Sequence, residues 1–148
     1  MDEFEKFYNK SLRFLSFRPR SQKEILDYLN KKKVSEEVIK KIIKKLLEYK
    51  FLDDEQFAIW WVEQRTKLKP RAWRVIKNEL KQKGISEELI NNQQLSISDF
   101  QMAFSLAQKR LRKYKKLSKQ EFFQKMGRYL ASKGFSYDII KQVINKIN

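Results

Sequence analysis

Leu29-Asn30-Lys31-Lys32-Lys33-Val34-Ser35-Glu36-Glu37-Val38-Ile39 recurs as Leu80-Lys81-Gln82-Lys83-Gly84-Ile85-Ser86-Glu87-Glu88-Leu89-Ile90 and again as Leu130-Ala131-Ser132-Lys133-Gly134-Phe135-Ser136-Tyr137-Asp138-Ile139-Ile140. The spacing is 80 less 29, or 51 residues, then 130 less 80, or 50. Self-similarity at a near-constant period marks a repeat architecture. Each copy reads as a junction between two helices. One helix ends near a Lys-Gly pair, where glycine takes the left-handed conformation and the apolar residue after it packs back. Serine then caps the next helix, and the acidic residues behind Ser35, Ser86 and Ser136 complement the positive end of its dipole.

Working outward, Val38, Ile39, Ile42, Ile43, Leu46 and Leu47 form a helical stripe after the first junction. Ile139, Ile140, Val143, Ile144 and Ile147 repeat it after the third. The middle copy breaks the stripe with Gln93 and Gln94, and Ser96 to Asp99 follow, so its last helix is expected to be short. Before the junctions, Ser21 with Glu24 and Ser118 with Glu121 fit a capping box, in which serine and glutamate satisfy orphan amides reciprocally. From Ser21 to Leu29 is 8 positions and from Ser118 to Leu130 is 12, which makes the third copy's middle helix one turn longer. A further helix opens each repeat: Phe4 to Phe17, Glu55 to Leu68, and Phe100 to Tyr114.

The fold class is therefore all-α: a tandem array of three three-helix repeats, expected to be elongated and curved, with segments 1–51, 52–97 and 98–148. Each repeat is too small to bury its stripes alone and needs its neighbours. Only 3 Gly and 2 Pro occur, too few turn residues for an all-β chain, and 41% apolar content is enough for a core.

Lys and Arg number 34 against 18 Asp and Glu, a formal net charge of +16. Such a field attracts a polyanion. A coding bias toward Lys, Ile and Asn, with lysines solvating helix surfaces, is the competing explanation. No Cys and no His occur, which removes disulfides, thiolate metal sites and the commonest zinc ligand and general base. No run approaches the roughly 18 apolar residues of a membrane span, and Met1-Asp2-Glu3 does not open a signal peptide. A cytoplasmic protein with no membrane partner is expected.

Two basic segments stand out. Lys109, Arg110, Arg112, Lys113, Lys115, Lys116 and Lys119 contain no acidic interruption, and either contact a polyanion or complement a helix C-terminus. Arg65, Lys67, Lys69, Arg71, Arg74, Lys77, Lys81 and Lys83 are interrupted only by Glu79. Arg18 and Arg20 occupy the equivalent loop of the first repeat, with Pro19 and Pro70 also 51 apart. Regular stacking would align these loops on one face along a phosphate backbone; alternatively Pro and Arg merely start each helix. Phe57, Trp60 and Trp61 have core spacing, whereas Trp73, between Ala72 and Arg74, is equally a base-stacking or a buried residue. Asp53-Asp54-Glu55 fits N-cap duty better than metal binding. With no Walker loop, dinucleotide fingerprint or nucleophile elbow, no catalytic residue, cofactor or metal is expected.

Tyr49-Lys50-Phe51-Leu52-Asp53-Asp54-Glu55-Gln56-Phe57-Ala58, followed by Arg65 and by Glu79-Leu80-Lys81-Gln82-Lys83-Gly84-Ile85, resembles the signature of the bacterial RecX family of RecA regulators. Leu12, Leu15, Arg18, Arg20, Ser21, Glu24, Ile25 and Leu29 resemble its opening pattern. Gln56 stands where the family usually has Arg or Lys, and the third repeat matches mainly through its period and Lys133-Gly134. The resemblance implies a negative regulator that binds the groove of RecA polymerised on single-stranded DNA; a monomer is expected. It would limit ATP hydrolysis, strand exchange and filament growth, touching nucleic acid directly or through RecA. Arg18, Arg20, Arg65, Arg71, Trp73, Arg74, Lys77, Lys109, Arg110, Arg112 and Lys113 are the expected contact residues. The alternatives are a general DNA- or RNA-binding helical protein, and a hydrolase working through the Asp53 to Glu55 carboxylates.

Overall fold

The computed structural model describes residues 1–94 and 97–147. Ser96, read above as closing the short helix, lies outside the described residues, as do Leu95 and Asn148. Among the described residues there are nine helices and no strand: α1 (Glu3–Phe17), α2 (Gln22–Lys31), α3 (Glu36–Glu48), α4 (Asp54–Lys67), α5 (Trp73–Gln82), α6 (Glu87–Gln94), α7 (Asp99–Tyr114), α8 (Lys119–Ser132) and α9 (Tyr137–Ile147). The shortness expected of α6 is found, at 8 residues. The extra turn expected before the third junction is found as well: α8 has 14 residues against 10 in α2.

The three junctions are three copies of one backbone motif. The amides of Val34, Ile85 and Phe135 donate to the carbonyls of Leu29, Leu80 and Leu130 (3.2, 3.1 and 3.3 Å). One residue earlier, Lys33, Gly84 and Gly134 donate to Asn30, Lys81 and Ala131 (2.9, 3.0 and 3.0 Å). This is a Schellman cap, with the apolar residue buried against the leucine behind it. Its turning residue needs positive φ, which Gly84 (φ 78) and Gly134 (φ 96) adopt without strain; in the first copy Lys33 is forced to φ 61. Ser35, Ser86 and Ser136 then cap α3, α6 and α9, each hydroxyl oxygen accepting the amide three residues on (3.4, 3.3 and 3.3 Å).

Of the two capping boxes, only one closes. Ser21 Oγ accepts the Glu24 amide at 3.1 Å while Glu24 Oε1 accepts the Ser21 amide at 3.0 Å. At α8, Ser118 Oγ accepts the Glu121 amide at 3.2 Å, but the Glu121 carboxylate takes the Ser118 hydroxyl at 3.1 Å instead of its backbone amide. Helix α5 has Ala72 where the serine would be and Val75 where the glutamate would be, so neither partner of a box exists there. Both α2 and α5 recruit an aspartate from the helix that opens the following repeat. The Gln22 amide donates to Asp54 Oδ1 (2.7 Å) and the Trp73 amide to Asp99 Oδ1 (2.8 Å).

The chain folds as two compact units, Met1–Trp61 with Leu80–Asn92, and Val62–Glu79 with Gln93–Asn148. In the first, α1, α2 and α3 bury Tyr8, Ile25, Leu29, Val34, Ile39, Ile42 and Leu46, with Leu52 joining them. In the second, α7, α8 and α9 bury Leu106, Phe122, Met126, Leu130, Phe135, Ile140, Val143 and Ile144, with Ala72 inserted among them. Each large aliphatic side chain so buried stabilises by about 1.5–3 kcal/mol. The division runs through α4 and α5, so the middle repeat is shared between the two units rather than standing apart.

Candidate nucleic-acid interface

Lysine stands immediately before the turning residue in every junction, and its surroundings decide what it can do. In the first unit, Lys83 Nζ lies 3.2 Å from Glu24 Oε2 and 5.5 Å from the centre of the Trp61 ring. The same carboxylate receives both arms of Arg18, at 3.2 and 2.5 Å, and the Arg18 guanidinium lies 5.6 Å over Trp60. Burial alone would push the Glu24 carboxyl up. The Arg18 hydrogen bonds, the Ser21 amide and Lys83 outweigh burial and hold it below the usual range. This corner is thus a closed ion triad. Lys23 extends it, its stem lying against Gly84 and its Nζ donating to the Gln82 carbonyl at 3.0 Å.

In the second unit no carboxylate pairs with the corresponding lysine among the described residues. Lys133 Nζ lies 5.5 Å and the Arg110 guanidinium 4.1 Å from the centre of the same Tyr129 ring. The Ala72 amide donates to the Lys133 carbonyl (3.1 Å) and Arg74 Nε to the Gly134 carbonyl (2.8 Å), which pins the segment bearing Arg71 and Arg74 against the end of α8. Burial, then the neighbouring Arg71 and Arg110 charges, lower the Lys133 ammonium pKa. The ion pairs among the described residues include none to Arg71, Arg74, Arg110 or Lys133. Two basic segments separate in sequence therefore meet here, joined by a lysine and a tyrosine that belong to neither.

The other expected contact residues are placed variously. Arg65 is committed to Glu79, the single acid in its run, by two hydrogen bonds of 2.8 and 2.5 Å. Arg20 stacks at 3.7 Å on Phe14 and donates to the Phe14 carbonyl; burial and then Arg18 lower its pKa. Arg71 is half-buried and donates to the Pro70 carbonyl, and Trp73 and Lys77 are half-buried too. Lys109, Arg112 and Lys113 are exposed along the last turns of α7. Asp53 caps α4, its Oδ1 accepting the amides of Glu55 and Gln56 (3.0 and 3.2 Å), and Asp54 is spent on α2. No group of acidic residues able to hold a metal ion occurs among the described residues. Their helices include none long and apolar enough to cross a membrane.

Three family models match in tandem: the first three-helix domain of RecX over residues 8–46, the second over 53–92 and the third over 98–144. The crystal structure of RecX from Lactobacillus salivarius superposes with a TM-score of 0.80 and 30% identity, over 97% of this chain and 95% of that one. The chain belongs to the RecX family. Regulatory protein RecX of Bacillus licheniformis is 40% identical over 148 residues, and that of Bacillus subtilis 38% over 149, covering 98% and 99% of this chain. The chain spans 56% of the length of each of these two relatives.

The RecX signature around Tyr49 divides physically. Leu52, Phe57 and Ala58 are buried, whereas Tyr49 and Phe51 are 62% and 54% exposed, their rings 6.4 Å apart. Phe17 and Leu68 hold equivalent positions, 51 residues apart, at the ends of the opening helices, and each is 71% exposed. Sequence reasoning passed over this pair. The signal was available in the repeat register: an apolar residue followed by a cation, Pro and Arg in both copies.

Proposed function

We propose that this protein is a negative regulator of RecA that binds the RecA filament on single-stranded DNA and depresses ATP hydrolysis, strand exchange and filament extension. Membership of a family of regulatory proteins over nearly the whole chain carries this reading. The uncompensated cations at the second corner support it, because a nucleoprotein filament supplies the missing counter-charge. The protein acts stoichiometrically, as a cytoplasmic monomer and without chemistry of its own. A chain with neither His nor Cys lacks the usual groups for general-base or thiolate catalysis.

The test is a titration into the single-strand-dependent ATPase of RecA. Wild-type protein depresses hydrolysis in proportion to its amount, and Arg71→Ala with Arg74→Ala shifts the titration to about tenfold higher concentration, roughly 1.4 kcal/mol. Unchanged hydrolysis and filament length at several-fold excess would refute the proposal. The +16 charge favours a second reading, a general polyanion binder without RecA specificity. Tight filament binding with negligible affinity for naked DNA excludes that version.

A further inference from the structure

Lys83 and Lys133 are 50 residues apart and occupy the same place in the repeat, immediately before Gly84 and Gly134. The difference between them traces to one position on the preceding repeat's middle helix. The third residue of α2 is Glu24, which takes both Arg18 and Lys83; the third residue of α5, 51 positions later, is Val75. Val75 packs instead on Gly134, where a Cβ would meet its Cγ2 at 2.5 Å. Aliphatic packing has replaced the carboxylate, and the cations of that corner are left facing one another.

We propose that Arg71, Arg110 and Lys133 form a phosphate-binding site that takes a phosphodiester group of a nucleic-acid backbone, and that the equivalent corner built on Lys83 does not. Guanidinium groups offer planar forked donors and the ammonium a compact charge, a combination that matches a tetrahedral oxyanion. The Tyr129 ring is covered by Arg110 and Lys133, so it is not free to stack on a base. The site consequently holds backbone and reads no sequence. Burial and then the neighbouring Arg71 and Arg110 charges lower the Lys133 pKa, and an anion held between these groups offsets the repulsion among them. The assignment rests on the reading that the protein works against a nucleic-acid-bearing complex, and deepens it by naming the group bound.

The experiment measures anisotropy of labelled single strands with the full chain: a thymidine homopolymer, a mixed sequence and a fully abasic strand, across a salt series. Lys133→Met and Arg110→Gln each weaken binding several-fold on all three strands, and the salt slope falls by about 0.7 per lost phosphate contact. Lys83→Met leaves both unchanged. Val75→Glu, which places a carboxylate where Glu24 stands in the first unit, weakens binding like Lys133→Met. Equal effects of Lys83→Met and Lys133→Met, or none from Lys133→Met with an unaltered melting temperature, would overturn the assignment. So would a Lys133→Met loss confined to polyglutamate used as competitor probe. The RecA ATPase titration separates the two claims. Wild-type protein that inhibits RecA while Lys133→Met keeps full strand affinity sinks the phosphate site alone. Wild-type protein that fails to inhibit, with Lys133-dependent strand binding intact, sinks the RecA reading alone.

Discussion

Gly134→Ala is the substitution whose cost the structure specifies most closely. Alanine at φ 96 costs about 1–2 kcal/mol in left-handed strain. Its Cβ would lie 2.5 Å from Val75 Cγ2 and 3.4 Å from Ala72 Cβ, an overpacking of about 1–3 kcal/mol. Reduced freedom of the unfolded chain returns about 0.4–1 kcal/mol. The net is a destabilisation of about 1–4.6 kcal/mol, which at about 2–4 °C per kcal/mol lowers the melting temperature by about 2–18 °C. Lys33→Gly at the same place in the first repeat has the opposite sign. It relieves a left-handed lysine at φ 61 and gains up to about 1 kcal/mol after the entropy of the added glycine is deducted. Thermal and urea unfolding followed by circular dichroism measure both. A Gly134→Ala variant that melts with the wild type, or a Lys33→Gly variant that melts lower, would refute the claim that one backbone motif governs all three junctions.

Glu24→Gln breaks the ion triad of the first unit and costs about 2 kcal/mol at neutral pH, since Glu24, Arg18 and Lys83 side chains are each less than a third exposed. The Glu24 pKa is lowered in the fold, so its stabilisation is present above the ordinary glutamate range and is lost as pH falls through the folded value; variant and wild type therefore converge in acid. Asp54 runs the other way: burial raises its pKa, so its ionised form is costly at neutral pH and that cost is relieved on acidification, making the Glu24→Gln difference rather than raw acid stability the quantity to measure. Asp99→Ala strips the Trp73 amide of its acceptor and lowers stability by about 1 kcal/mol in denaturant titration, because Ala72 offers no replacement cap. Phe17→Ser with Leu68→Ser leaves the unfolding free energy within about 0.5 kcal/mol of wild type, both side chains being 71% exposed, but weakens inhibition in the RecA ATPase titration.

What could be read from the chain itself was whatever depends on neighbours a few positions away. Serine caps, Schellman turns, the amphipathic stripes of α3 and α9 and the brevity of α6 are local contests between side chain and backbone, and each leaves its mark at fixed spacing. The limits lay one step further out. Asp53 and Asp54 are adjacent in sequence and do different work: one caps its own helix, and the other reaches back to the Gln22 amide 32 positions earlier. Arg18 and Arg65 belong to basic stretches, yet Glu24 and Glu79 hold both of them. The isolated Glu79 in a run of cations was the available clue, since a lone carboxylate among many cations is seldom left without a partner. Lys133 gave no signal, because its neighbours Arg71 and Arg110 are brought together only by tertiary packing.

The chemical difference between the two corners follows from helix starts rather than from charge composition. At α2, the Ser21 hydroxyl accepts the Glu24 amide and the Glu24 carboxylate accepts the Ser21 amide, and that box also fixes the carboxylate that pairs with both Arg18 and Lys83. At α5, Ala72 and Val75 abandon the box: Asp99 accepts the Trp73 amide as Asp54 accepts that of Gln22, but the Ala72 amide, the counterpart of the Ser21 amide, donates to the Lys133 carbonyl at 3.1 Å instead of to a carboxylate. Loss of the box thus removes from the corner around Lys133 the carboxylate that Glu24 supplies at the equivalent corner. A repulsive arrangement of this kind survives selection for stability only where the packing around it is strong enough to tolerate it. Here that packing is supplied by Val75 on Gly134 and by Ala72 within the α7, α8 and α9 core. The same aliphatic contacts that take the place of the carboxylate therefore also hold the cations in position, and charge and geometry at this corner cannot be altered independently except at the tips of Arg110 and Lys133.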